Sequence, residues 1–440
     1  MENNPRESQS KLLCGAIGLP DGNALATTTR VTWRTQWRGW VFLIGCGAAC
    51  VAHAQIDPER RRLFQLGYNQ AFQGRGPLTG YAFFYYNQPG WLQTNLTLRL
   101  AVAPVYLDSE LGIRHVLSPN TDLAIGLAGG GFADSYSEIR QGKFIREESF
   151  TGHGAELGAS LYHRFNPDQK LPFNAILRAS SHYSVYARDD RTDPAFTLPE
   201  DRKDFHVRAG LRLGGREPFM FPSVAMELSA WYEGQFRTDA EPYGFGGDRV
   251  VEDNTHLYWT RALLIYTLPE LKHNFSVSVT AGASANADRL STYRLGGALP
   301  LVSEFPLTLP GYYFQEISAS RFVLLSGQYS VPLKKESRWG FMVNGSTAFV
   351  DYLKGLEQPG DVHSGVGAGI VFRSKSEAWH IVLGYGYGVD AIRSGGRGSH
   401  SVGILLQYDM EADRRGKKPF WDPWLNPNRW RGFDRLFGRE

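Results

Sequence analysis

The chain lacks several features that identify common classes of protein. It has only three cysteines in 440 residues, and Cys14, Cys46 and Cys50 all lie near its amino terminus, so that the rest of the chain carries no thiol. A net charge of +3 is too small to indicate nucleic-acid binding. Mean hydropathy is −0.31, and the one uninterrupted apolar run, Trp40 to Ala52, is too short to cross a bilayer as a helix. This composition does not fit a helical membrane protein.

Motifs of common enzyme classes are also missing. The sequence has no G-x-S-x-G nucleophile elbow, no H-E-x-x-H zinc motif and no phosphate-binding P-loop. We therefore expect no catalytic residue, no cofactor and no metal site. Asp204, His206 and Arg208 alternate along one predicted strand, and we interpret them as residues that line a polar interior.

The amino-terminal region has the pattern of an export signal. Arg34 and Arg38 form a basic flank, an apolar stretch begins at Val41, and Ala52-His53-Ala54 supplies a cleavage site before Gln55. We expect residues 1–54 to be a leader and signal peptide, 55–410 a barrel, and 411–440 a periplasmic tail. The tail mixes aromatic and basic residues, which suits the lipid headgroup layer or a periplasmic partner.

Alternation of polar and apolar residues dominates the remainder. Between Asn274 and Asn286, Phe275, Val277 and Val279 fall on one face, and serine, threonine and asparagine fall on the other. Successive side chains of a strand point to opposite faces. We predict that the apolar set faces lipid and the polar set faces the lumen. The lipid set includes Leu98, Leu211, Val279 and Leu383, and the lumen set includes Arg99, His206 and Ser278.

The pattern recurs in about sixteen segments of the length that a tilted strand needs to cross a membrane. They lie near 63–72, 78–86, 91–102, 106–116, 121–132, 149–164, 173–187, 203–214, 223–236, 256–268, 273–287, 320–333, 339–350, 363–373, 379–389 and 399–409. Short turns and longer links alternate between them, as in bacterial barrels. An open sheet edge would leave unpaired backbone groups in hydrocarbon, so the sheet must close. The predicted fold class is all-β, a transmembrane antiparallel β-barrel.

One stretch resembles a signal of bacterial outer-membrane proteins in general, and two more resemble the BamA-type superfamily, the bacterial surface-antigen barrels. Ser401, Gly403, Leu406 and Tyr408 follow the terminal-strand signal of outer-membrane proteins. Arg294-Leu295-Gly296-Gly297, followed by Leu309-Pro310-Gly311-Tyr312 and a strand ending in Pro332-Leu333, is similar to the family's inward loop and the strand after it. Ser364 to Gly369 with Gly384-Tyr385-Gly386 is similar to the family's third-last and second-last strands.

This resemblance implies that the loop 288–319 turns back into the barrel, with Gly311 and Tyr312 at its tip. In the family, an arginine at the loop tip pairs with inward acidic residues, whereas this chain has Pro310 at that position. We expect Tyr312 to reach Asp204, Arg208 or Gln328. Because only a short stretch separates Gln55 from the first predicted strand, we expect neither the family's POTRA modules nor a patatin domain.

The resemblance further implies the outer membrane of a Gram-negative bacterium and a non-catalytic role in transport or outer-membrane assembly. The expected partners are outer-membrane lipid and, during insertion, the barrel assembly machinery. Two alternatives stay open at this point. One is a diffusion porin. The other is an outer-membrane lipid-modifying enzyme, which would need a Ser/His pair such as one drawn from Ser276, Ser278, Ser284 and His182.

Overall fold

A computed structural model describes residues 56–415, except 78, 170, 217–218, 301–302 and 335–336. The predicted leader, residues 1–54, and the tail beyond residue 415 lie outside the described residues. No helix in the described part is long and apolar enough to cross a membrane.

About 65% of the described chain is strand, and almost none of it is helix. One short helix, α1 (Met410–Arg415), follows the last strand. The strands are β1 Arg61–Ala71, β2 Thr79–Pro89, β3 Leu96–Val102, β4 Tyr106–Ser118, β5 Thr121–Gly130, β6 Tyr136–Arg140, β7 Lys143–Arg164, β8 Phe173–Arg188, β9 Arg202–Gly215, β10 Val224–Arg237, β11 Asn254–Thr267, β12 Asn274–Ala285, β13 Tyr293–Leu295, β14 Ile317–Pro332, β15 Trp339–Tyr352, β16 Val362–Arg373, β17 Trp379–Arg393 and β18 Gly396–Asp409.

The sheet closes on itself, because β1 pairs with β2 on one side and with β18 on the other. Of the eighteen strands, β6 and β13 pair only with the loop-side parts of β7 and β14, so sixteen strands form the barrel wall. All neighbours in the wall are antiparallel. At the seam, Leu63–Ala71 of β1 pair with Ser401–Asp409 of β18 without a register shift. The predicted all-β barrel of about sixteen strands is confirmed, and each predicted segment overlaps one wall strand.

An even number of strands brings both ends of the described chain to one rim. We call the rim with residues 56–60 and α1 the terminal end. The opposite rim, the loop end, carries the longer connections. The chain crosses from the loop end to the terminal end in β2 and returns in β3, and this order continues to β18.

Side chains alternate between the outer and inner faces of the wall as expected. Leu211, Val279 and Leu383 are 48, 39 and 52% exposed on the outer face, and Leu98 lies on the same face in register with Leu111. The inner face carries Arg99, His206 and Ser278, whose neighbours across the ladders are Glu110, Gln235 and Ser326. An apolar outer surface and a polar inner surface are the arrangement that a membrane-spanning barrel requires.

One terminal-end connection enters the barrel, which the sequence pattern did not predict. The link between β9 and β10 was expected to be a short turn at Gly214–Pro218. Instead, Met220 and Phe221 pack inside the barrel against Met342, Val371 and Val382, three apolar residues on the inner faces of β15 to β17. The backbone N–H of Met220 donates a hydrogen bond to Gln407 Oε1 at 2.9 Å. This turn narrows the lumen at the terminal end.

Candidate functional site

The connection between β12 and β14, residues 286–316, turns into the barrel from the loop end. We call it the inward loop. Leu295, Leu309 and Tyr312 are each 0% exposed. They form one cluster with apolar side chains from the walls that surround them, namely Ile317, Ala319, Phe322, Leu324, Ala348, Val350 and Ala391. The loop is therefore packed in the lumen like a core element.

Two glycines let the two limbs of the inward loop, around residues 296–297 and 307–309, run side by side. Gly296 and Gly297 have φ angles of 135° and 75°, a region that residues with a Cβ rarely adopt. The N–H of Gly296 donates to Leu307 O, and the N–H of Leu309 donates to Gly297 O, each at 2.9 Å. A Cβ on Gly296 would also overlap the carbonyl oxygen of Tyr313.

The loop tip, residues 310–312, lies on a wall made of glycine. A Cβ on Gly365 of β16 would overlap the backbone of Pro310, and one on Gly386 of β17 would come within 2.9 Å of Gly311 N. Gly311 itself has a φ of 84°, and its own Cβ would overlap the backbone of Gly388. Backbone therefore meets backbone with no side chain between them. The glycine-rich stretches that carry the family resemblance are the surface on which the tip rests.

Replacing Gly365 by alanine tests this contact. The added methyl group must displace Pro310, and overpacking of this kind costs about 1–3 kcal/mol. Gly384→Ala is the matched control, since Gly384 lies on the inner face of β17 with nothing closer than 4.0 Å to its Cβ position. The control should stabilise the barrel by about 0.5–1 kcal/mol, because alanine restricts the unfolded chain. Urea unfolding in lipid vesicles measures both, and equal destabilisation would argue against a seat at Gly365.

Tyr312 does not bind the partners expected from the sequence. Its hydroxyl lies 3.3 Å from His363 Nδ1, and the other ring nitrogen of His363 is hydrogen-bonded to the Tyr352 hydroxyl. Burial raises the pKa of Tyr312. The expectation of Asp204, Arg208 or Gln328 was wrong. The loop tip approaches the side of the barrel where glycines admit its backbone, and Arg208 already pairs with Glu233 on another wall.

A buried ion pair fixes the loop beside its tip. Glu316 accepts two hydrogen bonds from Arg393 of β17, at 2.7 and 2.8 Å, and the two side chains are 0 and 3% exposed. Glu316 also accepts the N–H of Tyr313, and the Arg393 guanidinium lies 3.8 Å from the centre of the Tyr313 ring. In the resembling family the loop supplies the arginine. Here the loop supplies the acid and the wall supplies the arginine.

The same tyrosine connects the loop to the barrel seam. Tyr313 Oη donates to the carbonyl of Gln73, just beyond β1, at 2.7 Å. Gln73 Oε1 in turn accepts the backbone N–H of His400 in β18 at 2.6 Å. The inward loop is therefore in contact with the connection between β1 and β2, and through it with β18.

The other limb of the loop is held by the opposite wall. Phe305 packs edge-on against the stacked Trp231 and Trp259, with ring centres 5.4 and 5.6 Å away. Next to it, Glu304 forms an ion pair with Arg212 of β9. Burial alone would raise the pKa of Glu304, but the charge of Arg212 and its hydrogen bond outweigh this and hold the pKa below its ordinary value. The loop thus reaches across the lumen between β9–β11 and β16–β17.

A polar cavity of about 630 Å³ lies between the inward loop and the walls β7 to β10. His182 Nε2 is 2.9 Å from Asp134 Oδ2, and the His182 ring stacks on His206 with centres 5.6 Å apart. Ser284, one of the serines considered for a hydrolytic pair, donates to Ser320 O instead. In the part of the chain that the structure describes, no serine hydroxyl is hydrogen-bonded to a histidine ring, and no cluster of His, Cys, Asp and Glu could hold a metal ion.

Folded connections cover this cavity at the loop end. The links β5–β7, β8–β9 and β10–β11 share an aromatic cluster that includes Tyr136, Phe196 and Tyr243. Glu138 is fully buried and pairs with Arg249 and with Arg289 of the inward loop, the latter at 2.6 Å. The covering layer and the inward loop are therefore joined by buried charges.

The residues of the predicted terminal-strand signal divide between the two faces of β18. Ser401 and Gly403 point inward, where Ser401 is 1% exposed, and Leu406 and Tyr408 point outward. The Tyr408 ring stacks on Trp379 with centres 4.4 Å apart, and its hydroxyl donates to Asp413 of α1 at 2.9 Å. The aromatic end of the signal is thus covered by the helix that follows it.

The barrel is similar in fold to several solved structures. No protein-family profile and no curated sequence matches the chain. CdiB from Acinetobacter baumannii is similar with a TM-score of 0.53 and 9% identity, over 80% of this chain and 60% of that one. CdiB from Escherichia coli gives 0.53 and 13%, over 80 and 63%. BamA from Haemophilus ducreyi lacking POTRA domains 1–3 gives 0.50 and 11%, over 80 and 70%.

The chain spans somewhat less than two thirds of the length of the CdiB chains that it matches. Identities of 9 to 13% leave the fold as the shared property. The resemblance found in the sequence is confirmed at that level: the chain has the barrel fold of BamA and CdiB.

Proposed function

We propose that the protein is an outer-membrane barrel of a Gram-negative bacterium that acts in transport or outer-membrane assembly, with the inward loop as a plug. The observation that carries this is the seating of the loop across the lumen. It is held by the glycine wall at Gly365 and Gly386, by the ion pair Glu316–Arg393, and by Phe305 between two tryptophans. The fold shared with BamA and CdiB supports the same class of role.

A diffusion porin is the alternative that this geometry disfavours. A porin needs a lumen that stays open to water, whereas here the inward loop and the turn at Met220 enter the barrel from opposite ends. Passage through such a barrel requires the plug to move. We propose that a partner on one side of the membrane, or in the periplasm through the tail 411–440, drives that movement.

Ion conductance in planar bilayers tests the plug. The wild-type barrel should conduct weakly, because the loop fills the lumen. Replacing residues 298–315 by a short Gly/Ser linker should open a large, steady pore. Replacing the exposed residues 245–247 with the same linker is the control and should leave the conductance low. A wild-type conductance as large as that of the loop variant would identify a porin and reject the plug.

A further inference from the structure

The barrel wall is low at one place on the loop end. β3 has 7 residues and is the shortest strand of the wall, and a tight turn joins it to β4, with Ala103 N–H donating to Tyr106 O at 2.7 Å. β2 continues past this turn. Within the described residues, Thr79–Phe83 pair with β1 on one side and have no β3 residue on the other. We call this gap in the ladder, above residues 103–105, the notch.

The turn under the notch is apolar. From Leu100 to Leu107 the chain carries no charged residue, and Val102, Val105 and Leu107 are 42, 53 and 37% exposed. The longer connections at this end carry charge, for example Asp189 and Arg191. An exposed apolar turn is unfavourable in water and stable in hydrocarbon. The turn therefore belongs within the lipid layer, with the notch open toward its outer part.

Behind this part of the wall lies a cavity of about 390 Å³. Phe83 and Tyr106, which flank the notch, form one side of it together with Tyr85 and Ala101. The inward loop and the turn at Phe219 close it above and below. Seven charged residues also line it, namely Arg99, Arg212, Arg216, Arg261, Asp108, Glu227 and Glu304.

Three of the four arginines are neutralised by carboxylates. Arg99 binds Asp108 at 3.0 Å, Arg261 binds Glu227 at 2.5 Å, and Arg212 binds Glu304. Arg216 differs. Its one hydrogen bond among the described residues goes to the carbonyl of Phe219 at 3.3 Å, and no described carboxylate lies within 4.0 Å.

The surroundings of Arg216 disfavour its charge. It lies directly after the last residue of β9, at the terminal end, and so belongs to the turn and not to a strand of the wall. Burial, and then the charge of Arg261, lower its pKa to about 10, against a smaller opposing effect of Glu227. An anion in the cavity would relieve both effects. Guanidinium groups bind phosphate with two parallel hydrogen bonds, which makes arginine suited to this anion.

We propose that this cavity binds the phosphate headgroup of a single-chain or branched amphiphile, which enters from the outer leaflet through the notch. Arg216 would bind the phosphate, and the alkyl part would lie along Phe83, Ala101 and Tyr106 and leave over Val102 and Val105. The volume is within the range of about 300–1,000 Å³ that small-molecule sites occupy. The site does not depend on movement of the plug, so it stands or falls separately from the proposed function.

Binding of dodecyl phosphate to the purified full-length barrel in a neutral detergent tests the site, with native mass spectrometry as the readout. One equivalent should bind. Arg216→Met should weaken binding about tenfold or more, since it removes the charge that pairs with the phosphate. Arg338→Met, an exposed arginine in another terminal-end turn, is the matched control and should bind as the wild type does. Heat-dependent gel mobility verifies that each variant is folded.

Two further measurements distinguish a phosphate that carries an alkyl chain from free phosphate as the ligand. Inorganic phosphate should bind much more weakly than dodecyl phosphate, and dodecanol should not bind. Ala101→Trp, which fills the cavity without removing any of its charged residues, should abolish binding. Equal binding by Arg216→Met and the wild type, or by inorganic phosphate and dodecyl phosphate, would overturn the proposal.

A separate measurement tests whether the turn at residues 103–105 lies in the lipid layer. A nitroxide on Val105→Cys in lipid vesicles should be more accessible to oxygen, which dissolves in hydrocarbon, than to a water-soluble nickel complex. A nitroxide on Lys143→Cys, at the tip of the β6–β7 hairpin, should show the reverse. Greater nickel accessibility at residue 105 would place the notch in water and overturn lateral entry.

Discussion

Replacing Arg393 by methionine is expected to destabilise the seated state of the inward loop by about 3–5 kcal/mol, because it leaves the buried Glu316 carboxylate with the Tyr313 N–H but without a positive charge to pair with. The Glu316 side chain is 0% exposed, so the seated loop keeps its carboxylate out of solvent. The loop should then leave the lumen, because this brings the unpaired Glu316 carboxylate into contact with water. The expected result is a barrel that stays inserted in lipid vesicles but conducts ions like the variant without the loop.

The double variant Glu316→Leu/Arg393→Met distinguishes an unpaired charge from a lost contact. Removing both partners of a buried pair is often close to neutral, so the double variant should be closed more often than Arg393→Met alone. Arg321→Met is the matched control, since Arg321 and Asp351 are 72 and 66% exposed and 3.9 Å apart. An exposed pair contributes about 0–1 kcal/mol. If Arg393→Met conducts no more than Arg321→Met, the ion pair does not hold the loop.

The strands of the barrel wall could be predicted because the alternation that marks each strand is contained in its own short stretch of sequence. A strand that faces lipid on one side and the lumen on the other must alternate, and β12, observed at Asn274–Ala285, was predicted at 273–287. The two short strands β6 and β13 have 5 and 3 residues and lie in connections. Too few residues alternate there to form a pattern. The apolar run Phe219-Met220-Phe221 was the one available signal for the turn that enters the lumen.

The candidate site was predicted in part, for a physical reason. Glycines at 311, 365 and 386 stood out in the sequence because they lie in the stretches that resemble the family, and in the structure each of them permits close backbone contact. Their pairing across the lumen could not be deduced, since it depends on which walls face each other in the closed barrel. Glu316 and Arg393 are 77 residues apart. Arg393 also lies beyond the predicted end of its strand, at residue 389, so nothing marked it as inward.

Val279→Arg and Ser278→Arg place the same charge on adjacent residues of β12, and we expect opposite outcomes. Val279 is on the outer face and 39% exposed, so its arginine would enter hydrocarbon. Near the middle of the membrane this costs about 2–4 kcal/mol in a transmembrane barrel. Ser278 points into the lumen between Leu263 and Ser326, so its arginine would stay out of the hydrocarbon and should be tolerated.

The measurement is the free energy of unfolding in guanidinium chloride, with the barrel inserted in phosphatidylcholine vesicles. The comparison is direct because both variants carry the same new side chain on the same strand, at positions one residue apart. A one-residue step reverses the face on any strand, whether the barrel is plugged or open. Equal losses at the two positions would mean that β12 does not separate lipid from lumen, and a barrel spanning the membrane would no longer account for its alternation.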